Sequence, residues 1–107
     1  MNAIEKKHRT ADGEIYYWVQ KAEEDAPWLV FLPGLTVDHT LFDRQMEWFS
    51  GRWNCLTWDA PGHGRSRPFA LNYSLQDKAR FLHDILEAER ITAPILVGQS
   101  MGGYVSQ

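Results

Sequence analysis

The sequence has few of the residues that would indicate disulfide, metal or redox chemistry. Cys55 is its one cysteine in 107 residues, so no disulfide can form within the chain. Neither the C-x-x-C nor the H-E-x-x-H spacing of common metal sites occurs. Because Cys55 lies in an apolar, strand-like run, we expect a buried thiol. The sequence therefore predicts neither a metal site nor a cofactor.

Basic clusters and long apolar runs are also missing. The net charge is -3 at pH 7, and lysine and arginine gather only in the short stretch 5–9. A surface that tracks a phosphate backbone needs more positive charge than this, so nucleic acid is not an expected partner. The amino-terminal residues contain no apolar stretch of the secretory type, and no apolar run is long enough to span a bilayer. We expect a cytoplasmic protein without a membrane span.

What the sequence does contain indicates an α/β domain. Hydrophobic residues make up 44% and charged residues 23%, as in ordinary globular domains, and the length suits one small domain. The segments 4–9 and 14–20 predict two strands that form an amino-terminal hairpin. Apolar runs beginning at Trp28, Leu56 and Ile95 predict three further strands, of which the first suits a strand buried on both faces.

Two helices are predicted between these strands. The segment 40–50 has apolar residues at helical spacing, with Asp38 as a cap and Gly51 after its end. The segment 74–90 opens with a capping box and continues with an apolar stripe. Alternating strands and helices predict a mostly parallel sheet with helices on both faces, whose ligands bind at the carboxyl ends of the strands. The pattern of the first helix consists of Leu41, Phe42, Gln45, Met46, Trp48 and Phe49.

The turn Gly-Gln-Ser-Met-Gly at 98–102 carries the strongest functional signal. It follows a short apolar strand, and its spacing is that of a turn that presents a nucleophilic serine, here Ser100. Gly98 and Gly102 allow the strand and the following helix to pass closely, and a helix beginning here favours negative charge near the serine. Taken alone, the same pattern also fits a glycine-rich turn with an incidental serine.

Two upstream segments support the nucleophile interpretation. Leu-Pro-Gly-Leu at 32–35 and Asp-Ala-Pro-Gly-His-Gly-Arg-Ser at 59–66 both follow predicted strands. In a serine acyl-transfer site, one oxyanion donor is the backbone N–H after the nucleophile, which is that of Met101. The other comes from the loop after the third strand, where Leu35 is the candidate.

The order and spacing of these three segments resemble the amino-terminal half of the α/β-hydrolase superfamily, over nearly the whole chain. The resemblance implies that Ser100 is the nucleophile and that Leu35 and Met101 supply the oxyanion N–H groups. It also implies that Asp59 and His63 are structural residues of a loop beside the site. One departure is visible, because this chain has Pro33 where the family usually has histidine.

In this family the triad acid and histidine follow the nucleophile on later strands. The chain ends at Gln107, so we expect one truncated domain over residues 1–107, incomplete at the C-terminus. It would contain strands 1 to 5, two helices and the start of a third. Among the upstream histidines, His39 is interpreted as a residue near the pocket mouth rather than as the base.

The leading hypothesis is a serine hydrolase that cleaves carboxylic esters of small molecules through an acyl-enzyme on Ser100. A serine at this turn disfavours the dehalogenase and epoxide-hydrolase branches, whereas peptidase, thioesterase, carbon–carbon bond hydrolase and perhydrolase activities stay open. The alternative is a catalytically incompetent fragment that only associates through the exposed edge strand near Ile95. Its partner would be a second copy in a homo-oligomer, or a complementing C-terminal segment.

Overall fold

The computed structural model describes residues 3–11, 13–34, 38–61, 63–67, 75–99 and 105. A 3₁₀ turn over His39–Phe42 leads directly into helix α1, Asp43–Phe49, and helix α2 covers Leu75–Ala88. In this part of the chain five strands form one sheet with the spatial order β1-β2-β4-β3-β5. The strands are β1 Ile4–Thr10, β2 Gly13–Gln20, β3 Trp28–Leu32, β4 Asn54–Trp58 and β5 Ile95–Gly98.

The sheet is mixed. The predicted hairpin is confirmed, since β1 pairs antiparallel with β2, and β2 also pairs antiparallel with β4. Parallel pairing joins β4 to β3 and β3 to β5, with Leu32 opposite Gly98 at the end of β5. The carboxyl ends of β4, β3 and β5 therefore lie together at one end of the sheet.

Helix α2 covers one face of the sheet, as the sequence predicts. Leu82 and Ile85 are buried against strand residues that include Val30 and Leu56. The helix ends in a Schellman motif, in which the Ile91 N–H donates to the Leu86 carbonyl at 2.9 Å. The left-handed residue of this motif is Arg90, with φ of 59°. Ser74 of the predicted capping box lies outside the described residues.

The 3₁₀ turn and α1 cover the opposite face, where Phe42 and Met46 pack on Leu29, Phe31 and Cys55. The predicted helix over 40–50 is wrong in its first turn, because a 3₁₀ turn advances farther per residue than an α-helix and shifts the phase of the apolar pattern. Leu41 and Trp48 are 42% and 60% exposed, and Gln45 is exposed as well, so the buried stripe is narrower than the pattern of six residues predicts.

The caps and the cysteine of this face agree with the sequence analysis. Asp38 caps the 3₁₀ turn by accepting a hydrogen bond from the Thr40 N–H at 3.0 Å. Gly51 follows α1 with a φ of 78°, which favours glycine. Cys55 is buried as expected, and burial raises the pKa of its thiol to about 11. The described helices are too short or too polar to cross a membrane.

Candidate functional site

The three residues that the sequence assigns to chemistry, Ser100, Leu35 and Met101, lie outside the described residues. Their sequence neighbours Gly34 and Gln99 are described, and these two residues are in direct contact. The Gly34 N–H donates to Gln99 Oε1 at 2.9 Å, and the Gln99 N–H donates to the Leu32 carbonyl at 3.0 Å. The chain leaving β3 and the chain leaving β5 therefore begin side by side.

This contact lies at the carboxyl ends of the parallel strands, which is where ligands of parallel sheets bind. Neighbouring Cα atoms are only about 3.8 Å apart along the chain. Gly34 and Gln99 are thus each one residue away from a predicted member of the site. The two loop ends that lead to the predicted nucleophile and to the predicted oxyanion donor therefore start beside each other.

Asp59, the first residue after β4, is a fully buried carboxylate. Its Oδ1 accepts the His39 backbone N–H at 2.7 Å and lies 2.9 Å from His39 Nδ1. Its Oδ2 accepts the Arg65 N–H at 2.8 Å. Since an ionised carboxylate only accepts hydrogen bonds, we assign the proton of the His39 ring to Nδ1. These bonds compensate for the burial of the charge and agree with the structural role predicted for Asp59.

Ser66 bonds the loop after Asp59 both to its own beginning and to β2. The Ser66 hydroxyl donates to the Asp59 carbonyl at 2.6 Å and accepts the Tyr16 N–H at 2.8 Å. Gly64 has a φ of 48°, and a Cβ at this position would overlap the Asp59 carboxylate. The position therefore requires glycine, both for its backbone conformation and for space.

His39 does not lie near the end of β5. Its ring stacks on that of Trp18, with centroids 3.5 Å apart and planes inclined by 17°. Trp18 belongs to β2, which is three strand positions from β5, or roughly 14 Å at the usual strand spacing. The contact of His39 with Asp59 was not predictable from the sequence, because no local pattern links residues 20 positions apart.

The other histidines lie on other elements and make local contacts there. His8 lies in β1 opposite Ile15. His83 is exposed on α2, where its Nε2 lies 3.0 Å from Glu87, as the predicted solvated face requires. His63 lies in the loop after β4, where its ring Nδ1 is 3.2 Å from the Pro61 carbonyl oxygen.

A cavity of about 460 Å³ opens between β2 and α1, with Trp18, Gln20, His39, Asp43 and Glu47 among its lining residues. Its described lining includes no residue of β3 or β5, so the cavity is separate from the contact between Gly34 and Gln99. Within the described ranges, no group of three or more His, Cys, Asp or Glu residues is arranged to hold a metal ion.

Comparison with known proteins places these features in a family. The model of the "Alpha/beta hydrolase family" matches residues 29–107. The chain is 35% identical over 78% of its length to 3-oxoadipate enol-lactonase 1 of Acinetobacter baylyi, covering 31% of that protein. It is 31% identical over 88% of its length to the magnesium-chelatase 30 kDa subunit of Rhodobacter capsulatus, covering 34% of it. The chain thus spans about a third of the length of these curated relatives.

The fold has close counterparts among solved structures. A hydrolase from Novosphingobium aromaticivorans superimposes with a TM-score of 0.88 at 22% identity, covering 98% of this chain and 38% of that one. At this identity the likeness concerns the fold alone. It shows that the five described strands and their helices form part of a larger known architecture.

Proposed function

The chain belongs to the alpha/beta hydrolase family, and we propose that it supplies the nucleophile and the oxyanion hole of a serine hydrolase acting on carboxylic esters of small molecules. The observation that carries the proposal is the hydrogen bond from the Gly34 N–H to Gln99 Oε1. It joins the two loop ends from which a donor and a nucleophile must converge on one carbonyl group.

In the proposed reaction Ser100 Oγ attacks the ester carbonyl and forms a tetrahedral adduct. The N–H groups of Leu35 and Met101 donate to its oxyanion, each lowering the barrier by roughly 3 kcal/mol. Collapse of the adduct breaks the bond to the alcohol and gives the acyl-enzyme, and the alcohol leaves with the proton that the general base took from the Ser100 hydroxyl. Water then hydrolyses the acyl-enzyme and restores the serine hydroxyl.

We further propose that the general base and the triad acid come from sequence outside these 107 residues, either in the same polypeptide or in a complementing one. His39 is engaged by Asp59, and His8, His63 and His83 lie on other strands, loops or surfaces. A serine hydroxyl without a base is a weak nucleophile. These 107 residues alone are therefore expected to be inactive.

An ester substrate is favoured by one relative and by the nucleophile itself. The relative that is 35% identical is named as an enol-lactonase, and a lactone is a cyclic ester. Serine at the turn supports acyl transfer over reactions whose covalent intermediate forms on a carboxylate.

A fluorophosphonate probe tests the proposal. In the full-length protein we expect one covalent adduct, located by tandem mass spectrometry on the peptide that contains Ser100. The Ser100→Ala variant should lose the adduct, and the control variant Ser50→Ala should keep it. Absence of labelling in the folded protein, or labelling at another serine, would exclude Ser100 as the nucleophile.

Association through β5 is a second candidate function for the 107-residue polypeptide. β5 pairs with β3 on one side, and no described strand covers its other side, where Ile95 is 50% exposed. The opposite sheet edge, β1, carries Lys6, Lys7 and Arg9, which protect an edge from pairing with other chains. β5 has no charged residue and is thus the edge open to a second strand.

Sedimentation velocity of the 107-residue polypeptide at micromolar concentration tests this second candidate. We expect dimers or larger species, which Ile95→Lys should convert to monomers because a lysine disfavours edge pairing. Ile4→Lys is the matched control, since Ile4 is 63% exposed on the other edge. A single monomeric species of the unmodified chain would contradict association. Hydrolysis of p-nitrophenyl acetate that is lost in Ser100→Ala would show that the polypeptide is not merely an associating fragment.

A further inference from the structure

We infer that His39 is a positioning residue of the proposed hydrolase: its two hydrogen bonds to Asp59 fix the end of the segment that leaves β3, and with it the oxyanion N–H which that segment supplies. The inference rests on the proposed function of Ser100. It assigns His39 a role in holding the backbone rather than in the chemistry itself.

The segment between Gly34 and His39 is held at both of its ends. At the first end, the Gly34 N–H donates to Gln99 Oε1 and ties the segment to the chain leaving β5. At the second end, both the backbone N–H and the ring of His39 bond to Asp59 Oδ1, which ties the segment to the chain leaving β4. An oxyanion donor must be aimed before charge develops, so its backbone needs fixed ends.

Asp59 is a rigid support for the second end. It is fully buried, the Arg65 N–H holds its other carboxylate oxygen, and Gly64 lies directly against it. The Ser66 hydroxyl links its carbonyl to the Tyr16 N–H of β2. A displacement of His39 relative to Asp59 would therefore move the segment from β3 rather than the β4 loop.

The ring of His39 adds what a backbone bond alone would not provide. One N–H···O bond still allows the chain to rotate about it, whereas the second bond to the same oxygen, from Nδ1, restricts that rotation. The stacking of the ring on Trp18 holds the ring plane as well. Because Trp18 lies on β2, roughly three strand spacings from β5, His39 acts by position and not as the base for Ser100.

This inference is tested by steady-state kinetics of the full-length protein on a p-nitrophenyl ester. The active sites are counted by fluorophosphonate titration. His39→Ala should lower kcat per titrated site by about 10- to 100-fold, since small misplacements of a reacting group have effects of this size. KM should change less than about twofold, because the ground state gains little from an oxyanion donor. The control His83→Ala, on the exposed face of α2, should match the unmodified protein.

Two further variants separate the bond to Asp59 from the stacking on Trp18. His39→Asn retains an N–H at the position of Nδ1, and its kcat should be at least tenfold higher than that of His39→Ala. His39→Phe retains the stacked ring without the N–H and should stay as slow as His39→Ala. If His39→Ala does not fold, this pair decides the question.

An unchanged kcat per titrated site in His39→Ala, with only fewer titratable sites, would overturn the inference and leave His39 a residue of stability alone. Equal kcat in the Asn and Phe variants, or a faster Phe variant, would also overturn it. Failure of the proposed function looks different: turnover would then survive Ser100→Ala, whatever the His39 variants do.

Discussion

Ser100→Ala is expected to lower kcat for ester hydrolysis by roughly a millionfold in a polypeptide that contains the complete site, the size of effect that removal of a triad serine has in another serine hydrolase. The variant can no longer form the acyl-enzyme, because alanine has no hydroxyl group to attack the ester carbonyl. The remaining rate should still exceed the uncatalysed rate by about 1,000-fold, since the oxyanion N–H groups are backbone atoms that the substitution leaves in place.

Measurement of kcat for a p-nitrophenyl ester checks this prediction, with the mass of the acyl-enzyme followed in parallel. The unmodified protein should show a burst of p-nitrophenol and an acyl adduct, and Ser100→Ala neither. The melting temperatures of the two proteins should agree, so that lost activity does not reflect lost fold. A variant that keeps a tenth or more of the original kcat would rule out nucleophilic catalysis by this serine.

Elements whose signal is local were predictable from the sequence. The hairpin followed from two alternating segments joined at a tight turn, and it is present as β1 and β2. Helix α2 followed from an apolar stripe at helical spacing, with Leu82 and Ile85 inward as predicted. In both cases the residues that decide the structure lie within a few positions of one another.

The parts that depend on distant contacts were not predictable. The residues of the 3₁₀ turn at His39–Phe42 would also suit the first turn of an α-helix. In the structure Phe42 of this turn stacks on Phe31 of β3, a contact between residues that are distant in the sequence. The pair of His39 and Asp59 joins two loops and is invisible to any periodicity. The order that puts β4 between β2 and β3 likewise arises from long-range pairing. The placement of Ser100, Leu35 and Met101 remains a prediction.

Gly64→Ala is expected to destabilise the protein by roughly 3 to 4 kcal/mol, combining backbone strain with damage to a buried carboxylate. An alanine at a φ of 48° costs about 1 kcal/mol through its left-handed conformation. The added methyl group would also overlap the Asp59 carboxylate, which must then move away from its N–H donors. Each hydrogen bond to a charged group that is weakened costs about 1.5 to 3 kcal/mol.

Gly51→Ala is the matched control, because it separates the two causes. Gly51 has a φ of 78°, so the same substitution meets the same kind of backbone strain, but no atom lies within 4 Å of the added methyl group. Urea unfolding should therefore give a loss of about 1 kcal/mol for Gly51→Ala and a clearly larger one for Gly64→Ala. Equal losses would mean that Asp59 yields without cost, and that it is not the rigid support on which the positioning role of His39 depends. Gly64→Ala should also lower kcat per titrated site, since a displaced carboxylate takes the His39 end of the β3 segment with it.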